Sequence, residues 1–410
     1  MKRLHFFSLA IPLACTALRV VAAPTLPLWN SATPFPKAAE LARLDGVHFH
    51  VIKRYEPAAD GYRFLHGVAL AWHRDRLYAS IGHNQGGENT ETEEARFTVS
   101  NDGGKTWSAV ATMDAGLEPG IGISHGVFLG HGGNLWAFHG AYTGTMKQVH
   151  TRAYLLDDAT GKWVPKGTVI EGGFWPLQEP VRMDDGNWIM AGFARIGQGN
   201  PAAVAISRSG DFLKWDLVVI PKAAEVDKMW GESTVVVTGK RVIDLARRDG
   251  AAPTALVAVS DDFGRTWTPS EPTNLPMAAS KPYAGRLSTG QSYLVCSTTA
   301  DGGNRRSPLT IAVSRPGETV FARIFLIRPA LFPDGPGESH EKASLAYPYT
   351  IEHAGHLYVG YSNSGGGVGR VQSGGPGRGL GGMKNRSHGQ GSCARGHIVA
   401  CAPGTCLCKP

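Results

Sequence analysis

Apolar and polar residues alternate along most of this chain in short runs that stop at tight turns. Paired runs flank a turn in Val68–Ser80 around Arg74-Asp75, in Val127–Phe138 around Gly132-Gly133 and in Val181–Gly192 around Asp185-Gly186. The same pattern returns in Thr234–Ala246 around Gly239-Lys240, Gly285–Cys296 around Thr289-Gly290 and Thr350–Gly360 around Ala354-Gly355. Period-two alternation broken by a two-residue turn predicts a β-hairpin at each place. A further β-rich run ending in serine recurs as Thr98-Val99-Ser100, Ala205-Ile206-Ser207, Ala258-Val259-Ser260 and Ala312-Val313-Ser314. Tyr361-Ser362-Asn363 reads as a last copy, and Tyr154-Leu155-Leu156-Asp157 with Gly161-Lys162-Trp163 as a degenerate one. Ser207 to Ser260 is 53 residues, Ser260 to Ser314 is 54, and Ser100 to Ser207 is 107, two periods. One hairpin per period, flanked by two more strands, is a four-stranded antiparallel blade. Six such units predict an all-β, six-bladed β-propeller over residues 24–363.

The two ends depart from the pattern. Lys2 and Arg3 precede an apolar run from Leu4 to Leu18, and Val21-Ala22-Ala23 offers a small-residue cleavage site. Residues 1–23 are therefore expected to be a signal peptide, with a secreted or periplasmic product and a lipid anchor at Cys15 as the minor alternative. After Gly360, where a closing strand would run, comes Ser364-Gly365-Gly366-Gly367 and a Gly-, Arg- and Ser-rich stretch. Residues 364–410 are read as an irregular tail, either a flexible one or the product of a reading-frame error or truncation near Gly367. Cys296 stands alone in the body and reads as a buried small hydrophobe. Cys393, Cys401, Cys406 and Cys408 crowd the tail without a paired zinc spacing.

Composition agrees with many short strands: 53 glycines and 18% charged residues in 410 leave few long helix-forming runs. The net charge of +7 is modest, and no Lys/Arg stripe is interleaved with aromatics, so nucleic acid is set aside as a partner. No later segment is long and apolar enough to span a bilayer. A monomer without a cofactor is expected. The histidines lie in different repeats without ligand spacing, so no metal site is assigned.

Two octets share the form S-x-D-x-G-x-T-W. One is Ser260-Asp261-Asp262-Phe263-Gly264-Arg265-Thr266-Trp267 and the other Ser100-Asn101-Asp102-Gly103-Gly104-Lys105-Thr106-Trp107. Ser and Asp oxygens can cap nearby N–H groups, Gly tolerates a positive φ, and Trp drops into the apolar layer beneath. Ser100, Asp102, Gly104, Trp107 and Ser260, Asp262, Gly264, Trp267 are thus structural. The octet resembles the Asp box of the sialidase-like β-propellers, which closes a hairpin on the outer side of a blade.

In a propeller the innermost strands line a central channel, and ligands sit at one mouth. The position seven or eight residues before each hairpin turn holds His66, His125, Glu179, Glu232, Tyr283 and Tyr347, where packing alone would favour Val, Ala or Gly. Counting into the second strand gives His83, His139, Arg195 and Arg247, with Arg305 and Arg306 on a later loop. Gly231-Glu232-Ser233-Thr234 followed by Arg247 is similar to the sialidases' Glu strand and second substrate-binding Arg. Arg305, with Arg306 equally placed, resembles the third Arg. Tyr347 resembles the late Tyr nucleophile, with Tyr349 as the lesser candidate, and Tyr62-Arg63-Phe64-Leu65 resembles the stretch that supplies the first Arg.

The resemblance implies that Arg63, Arg247 and Arg305 bind a substrate carboxylate through rigid donor forks. It also implies that Glu232 takes the Tyr347 proton, giving a nucleophile that an anionic sugar does not repel. The family's acid, an Asp in the loop after the first hairpin, is missing from Gly82-His83-Asn84-Gln85-Gly86-Gly87-Glu88-Asn89; Glu88 or His83 could replace it. Glu179, Tyr283 and Arg195 complete the expected substrate-binding set. The extra imidazoles, His66 and His125 above all, suit proton transfer near neutral pH. They keep open a His/Tyr-dependent lyase or hydrolase for uronate polysaccharides, and a non-catalytic glycan-binding propeller. The leading expectation is an exported, sialidase-like glycoside hydrolase whose partner is an acidic oligo- or polysaccharide.

Overall fold

The computed structural model describes residues 26–116, 120–250, 253–337 and 339–364, and the backbone alone of the strand Arg395–Cys401. The expected signal peptide, the rest of the tail and its cysteines lie outside the described residues. The chain is all-β, a propeller-like arrangement of small antiparallel sheets; among the described residues the helices are a 3-10 turn, Ala38–Glu40, and a single α-helical turn, Pro57–Asp60. Among the described residues no helix is long and apolar enough to cross a membrane.

Turn chemistry sets the hairpins. Arg74 and Asp75 both adopt positive φ (47° and 62°), as do Gly132 and Gly133 and also Ala354 and Gly355. Two left-handed residues in succession give the primed turn whose twist matches the flanking strands. Gly186, Gly239 and Gly290 supply the left-handed residue in the other three. Every expected hairpin turn is found at its dipeptide.

The sheets follow the chain in order. Phe64–His73, Arg76–Asn84, Glu93–Ser100 and Ala111–Asp114 form one, and Ile121–His131, Asn134–Thr143, Lys147–Asp157 and Lys162–Ile170 the next. In the third, Phe174–Pro176 and Val181–Arg182 both pair with Trp188–Ala194, ahead of Ala202–Arg208 and Asp211–Val219. Lys228–Thr238, Arg241–Asp249, Thr254–Ser260 and Glu271–Pro276 make another. Tyr283–Arg286, Gln291–Cys296, Leu309–Pro316 and Phe321–Arg328 are joined by Ala42–Arg43, which runs parallel to the last of them. Ser344–His353 and His356–Ser364 pair on through Arg395–Cys401 to His48–Lys53, so both ends of the chain contribute to one sheet. Two sheets thus depart from the expected four antiparallel strands, and one strand falls in the stretch expected to be irregular. The strand occupies the edge that would otherwise leave the His356–Ser364 backbone unpaired.

Both Asp boxes fold identically. Ser100 Oγ accepts from the Gly104 N–H (2.8 Å) while Asp102 accepts from the Thr106 N–H (2.9 Å) and hydroxyl (2.6 Å). Ser260, Asp262, Gly264 and Thr266 repeat these bonds at 2.8, 2.9 and 2.7 Å. Trp107 and Trp267 donate their indole N–H to the carbonyls of Gly104 and Gly264 and pack against the core between sheets. The hydroxyl and N–H of Thr106 hold the Asp102 carboxyl far below the usual range. Both boxes are structural and lie away from the pocket described next.

Candidate active site

The channel-lining strands are not regular. Ladder register breaks between His66 and Val68, Ile123 and Gly126, Met229 and Ser233, and Ala346 and Tyr349. A bulge re-aims the side chains it carries. These four bulges carry His66, His125, Glu232 and Tyr347, which line a common pocket with Glu88, Glu93, Trp175 and Trp230. The expected positions of these four were legible because each precedes its hairpin turn by seven or eight residues.

Tyr347 has φ 56°, a left-handed conformation unfavourable for an aromatic residue and further restricted by Pro348 behind it. Its hydroxyl donates to Glu232 Oε1 in a short hydrogen bond. Arg247 Nη1 donates to Glu232 Oε2 at 2.9 Å and approaches the Tyr347 oxygen at 3.5 Å, while its Nε donates to Asp249 at 2.8 Å. Glu232 is only 3% exposed, so these charge-assisted bonds replace water for its carboxylate. Burial, then the charge of Glu232, raises the Tyr347 phenol above its ordinary range, so it rests protonated. Burial works against the Arg247 charge, but Glu232 and Tyr347 outweigh it and keep the guanidinium firmly protonated. The His66 ring meets the Tyr347 ring edge-on at 4.1 Å, and burial holds this imidazole neutral.

The peptide after Tyr347 is fastened from below. Lys281, 1% exposed, donates from Nζ to the Pro348 carbonyl at 2.7 Å and faces the adjoining rings of Tyr283 and Tyr349 at 5.5 and 5.6 Å. Burial brings its ammonium down to about 8. Tyr283 donates to Glu179 Oε2 at 2.5 Å, and burial raises the Glu179 carboxyl. Tyr283 is buried with Lys281 and Glu179 is half-buried beside it; neither lines the pocket, a correction to their expected place in the substrate-binding set.

The arginines also divide. Arg306 places its guanidinium 5.7 Å from the Tyr347 ring centre while donating to the Ala279 carbonyl. Arg305 instead is exposed and donates to the carbonyls of Gly302 and Asp301 in its own loop. Of the two equally spaced candidates, Arg306 faces the site and Arg305 does not. Arg63 is exposed and outside the pocket, because it precedes the strand that begins at Phe64. Arg195 donates to Gln198 and Asn200 in its own loop. His83 is buried against Tyr62, away from the pocket, which removes it as the acid.

Two carboxyl groups remain on the pocket wall. Glu88 stands exposed at the mouth, yet desolvation and then the nearby Glu232 raise its carboxyl. Glu93, absent from the sequence expectations, is 3% exposed and pushed up to about 7 by burial. Alternating burial over Glu93, Glu94, Ala95 and Arg96 places it on the face of Ala95, the signal that could have found it.

Glycines explain the repeated His-Gly-Val motif. A Cβ on Gly67 would lie 2.3 Å from the His125 ring, and one on Gly126 would lie 2.6 Å from His139. Each imidazole rests flat on a neighbouring strand where no side chain fits.

Residues 124–359, more than half of the chain, match the BNR repeat-like domain family. The chain belongs to that family. It is a sialidase-like BNR propeller family protein, and its structural neighbours are mostly sialidases. A crystal structure of a protein of unknown function from Dyadobacter fermentans is 15% identical, with a TM-score of 0.61 over 87% of this chain and 99% of that one. The Hadza microbial sialidase Hz136 is 15% identical, with a TM-score of 0.58 over 75% of this chain and 65% of that one. Trypanosoma rangeli sialidase, in complex with 2,3-difluorosialic acid as a covalent intermediate, is 12% identical, with a TM-score of 0.58 over 88% and 59%. The chain thus spans less than two thirds of the length of these two sialidases. At such identities the likeness is one of fold. No curated protein matches the chain.

Proposed function

We propose that this BNR-family protein is an exported glycoside hydrolase of sialidase type that acts on acidic glycans. The observation that carries the reading is the Tyr347–Glu232–Arg247 constellation, in which a buried phenol donates to a carboxylate held by a guanidinium. In this reading the sheets are six blades of a closed propeller. That count is supported by the packing of neighbouring sheets and of Ser344–His353 against Phe64–His73.

The chemistry follows from the protonation states. Tyr347 Oη attacks the anomeric carbon while Glu232 takes its proton, so the nucleophile forms only as the bond forms. The glycosidic bond breaks and the leaving oxygen takes a proton that comes from a carboxylic acid of the pocket, for which Glu88 at the mouth and the buried Glu93 are the two candidates. Water then attacks the tyrosyl glycoside and gives up a proton that restores the spent carboxylic acid, while the phenol recovers its proton from Glu232. Arg247 and Arg306 supply the donors for the substrate carboxylate, two forks where three were expected. Trp230, half-buried on the pocket wall, offers an apolar face to the sugar ring.

Turnover of a fluorogenic sialoside tests this reading. Wild-type activity lost by at least about 10³-fold in both Glu232→Gln and Tyr347→Phe is the expected result; undiminished activity in Tyr347→Phe overturns it. The His66–Tyr347 contact favours one second reading, a lyase for uronate polysaccharides. That reading predicts an unsaturated uronate product detectable by ultraviolet absorbance, and no sialoside turnover.

A further inference from the structure

The pocket holds a second chain of hydrogen bonds that the nucleophile does not use. Glu93 Oε1 lies 2.8 Å from Ser124 Oγ, and Ser124 Oγ lies 3.3 Å from His125 Nδ1. On its other side Glu93 Oε2 accepts from the Tyr142 hydroxyl at 2.5 Å, and that hydroxyl also lies 3.1 Å from the Thr90 carbonyl. The His139 ring, through Nδ1, bonds to the Ser124 carbonyl at 2.8 Å and fixes the segment from behind. Glu93, His125 and Tyr142 each rest on a glycine of a neighbouring strand. A Cβ on Gly82 would meet Glu93 Oε1 at 3.0 Å, one on Gly67 the His125 ring, and one on Gly122 the Tyr142 ring at 2.8 Å. Side chains from two sheets are packed into one dry line ending at the pocket.

Building on the glycosidase reading, we propose that Glu93, Ser124 and His125 form a proton relay that supplies the leaving oxygen and then recovers the proton from the attacking water. In the loaded state the Glu93 acid donates to Ser124 Oγ, and the Ser124 hydroxyl donates to His125 Nδ1. As the glycosidic bond breaks, the His125 Nε2 proton passes to the leaving oxygen. Ser124 gives its proton to Nδ1 and Glu93 gives its proton to Ser124. Glu93 ends as a carboxylate, Ser124 and His125 end neutral, and His125 has changed tautomer. Water attack runs the line backwards and restores the acid on Glu93.

The surroundings support a carboxyl that stays loaded near neutrality. Among the described residues Tyr142, His125 and His139 face it or its serine, Glu88 is the charge that acts on it, and no lysine or arginine does. A carboxylate so buried and without a cation is strongly disfavoured. Its midpoint of about 7 matches the pH at which a donor must both hold and release a proton. Burial holds His125 near 3, so the ring carries the proton through without storing it. This assigns Glu93 as a positioning residue acting through His125.

The test compares two sialosides in wild type, Glu93→Gln and Ser124→Ala, one with a poor alkyl leaving group and one with an activated aryl group. General acid help matters only for the first. The expected result is that the ratio of kcat/KM on alkyl to aryl substrate falls about 10²-fold in both variants. The basic limb of the wild-type alkyl pH profile, near 7, should also vanish. Equal losses on both substrates, or an unchanged ratio, overturn the relay. Infrared difference spectra of wild type minus Glu93→Gln supply a readout without substrate. A protonated carboxyl band that bleaches around pH 7 is expected, and its absence at pH 6 overturns the relay whatever the kinetics. The band without turnover of either sialoside overturns the Tyr347 reading and the relay's catalytic role with it.

Discussion

Gly67→Ala measures how tightly the site is built against its scaffold. Gly67 has φ 75°, and a Cβ there would stand 2.3–2.5 Å from three atoms of the His125 ring. Two costs add: a left-handed conformation for an L-residue costs about 1–2 kcal/mol, and forcing atoms into a filled site costs about 1–3 kcal/mol. Gly61 provides the control, since it has φ 80° but no atom within 4 Å of its added Cβ. Gly61→Ala should therefore lose only about 1–2 kcal/mol and Gly67→Ala about 2–5 kcal/mol, a large share of a stability of about 5–15 kcal/mol. Urea unfolding with an unchanged slope reads both values. Adding His125→Ala should recover about 1–3 kcal/mol in the Gly67→Ala background, because the ring is what the methyl meets. Equal losses in the two glycine variants, or strict additivity with His125→Ala, would refute the packing argument.

Asp244 is fully buried on Arg241–Asp249, and burial pushes its carboxyl up to about 8. Its folded-state value lies above the unfolded one, so stability is fully present below about pH 4 and is lost as pH rises towards 8. Asp244→Asn should remove that slope, gaining up to about 5 kcal/mol over wild type at pH 8; parallel urea midpoints from pH 5 to 8 would contradict it. Lys281→Met removes the donor to the Pro348 carbonyl, so sialoside kcat should fall about tenfold with KM held within about twofold. Lys281→Arg should restore part of the loss, and an unchanged kcat in the Met variant would show that the Tyr347 bulge needs no such fastening.

What the sequence made legible was local. The hairpin turns follow from dipeptides that accept positive φ, and the Asp boxes close their hydrogen bonds within eight residues. Glu232 and Arg247 were legible as a pair because they face each other across one hairpin. What failed depends on where loops lead. Arg305 and Arg306 are adjacent, and only the direction of the chain leaving Asn304 decides which of them meets Tyr347. Arg63 lost its place because it stands one residue before the strand. Glu93 was missed because the groups that bury it, Ser124 and Tyr142, come from the next sheet. The pairing of His48–Lys53 with Arg395–Cys401 joins the two ends of the chain and has no local signature.

The central claim is that Tyr347 is the nucleophile and Glu232 its base. Incubating the protein with 2,3-difluorosialic acid, then measuring intact mass and mapping the modified peptide, tests it most directly. The account predicts a single adduct on Tyr347, formed far more slowly in Glu232→Gln and absent in Tyr347→Phe. An adduct on another residue, or sialoside turnover that this reagent leaves unaffected, would contradict it.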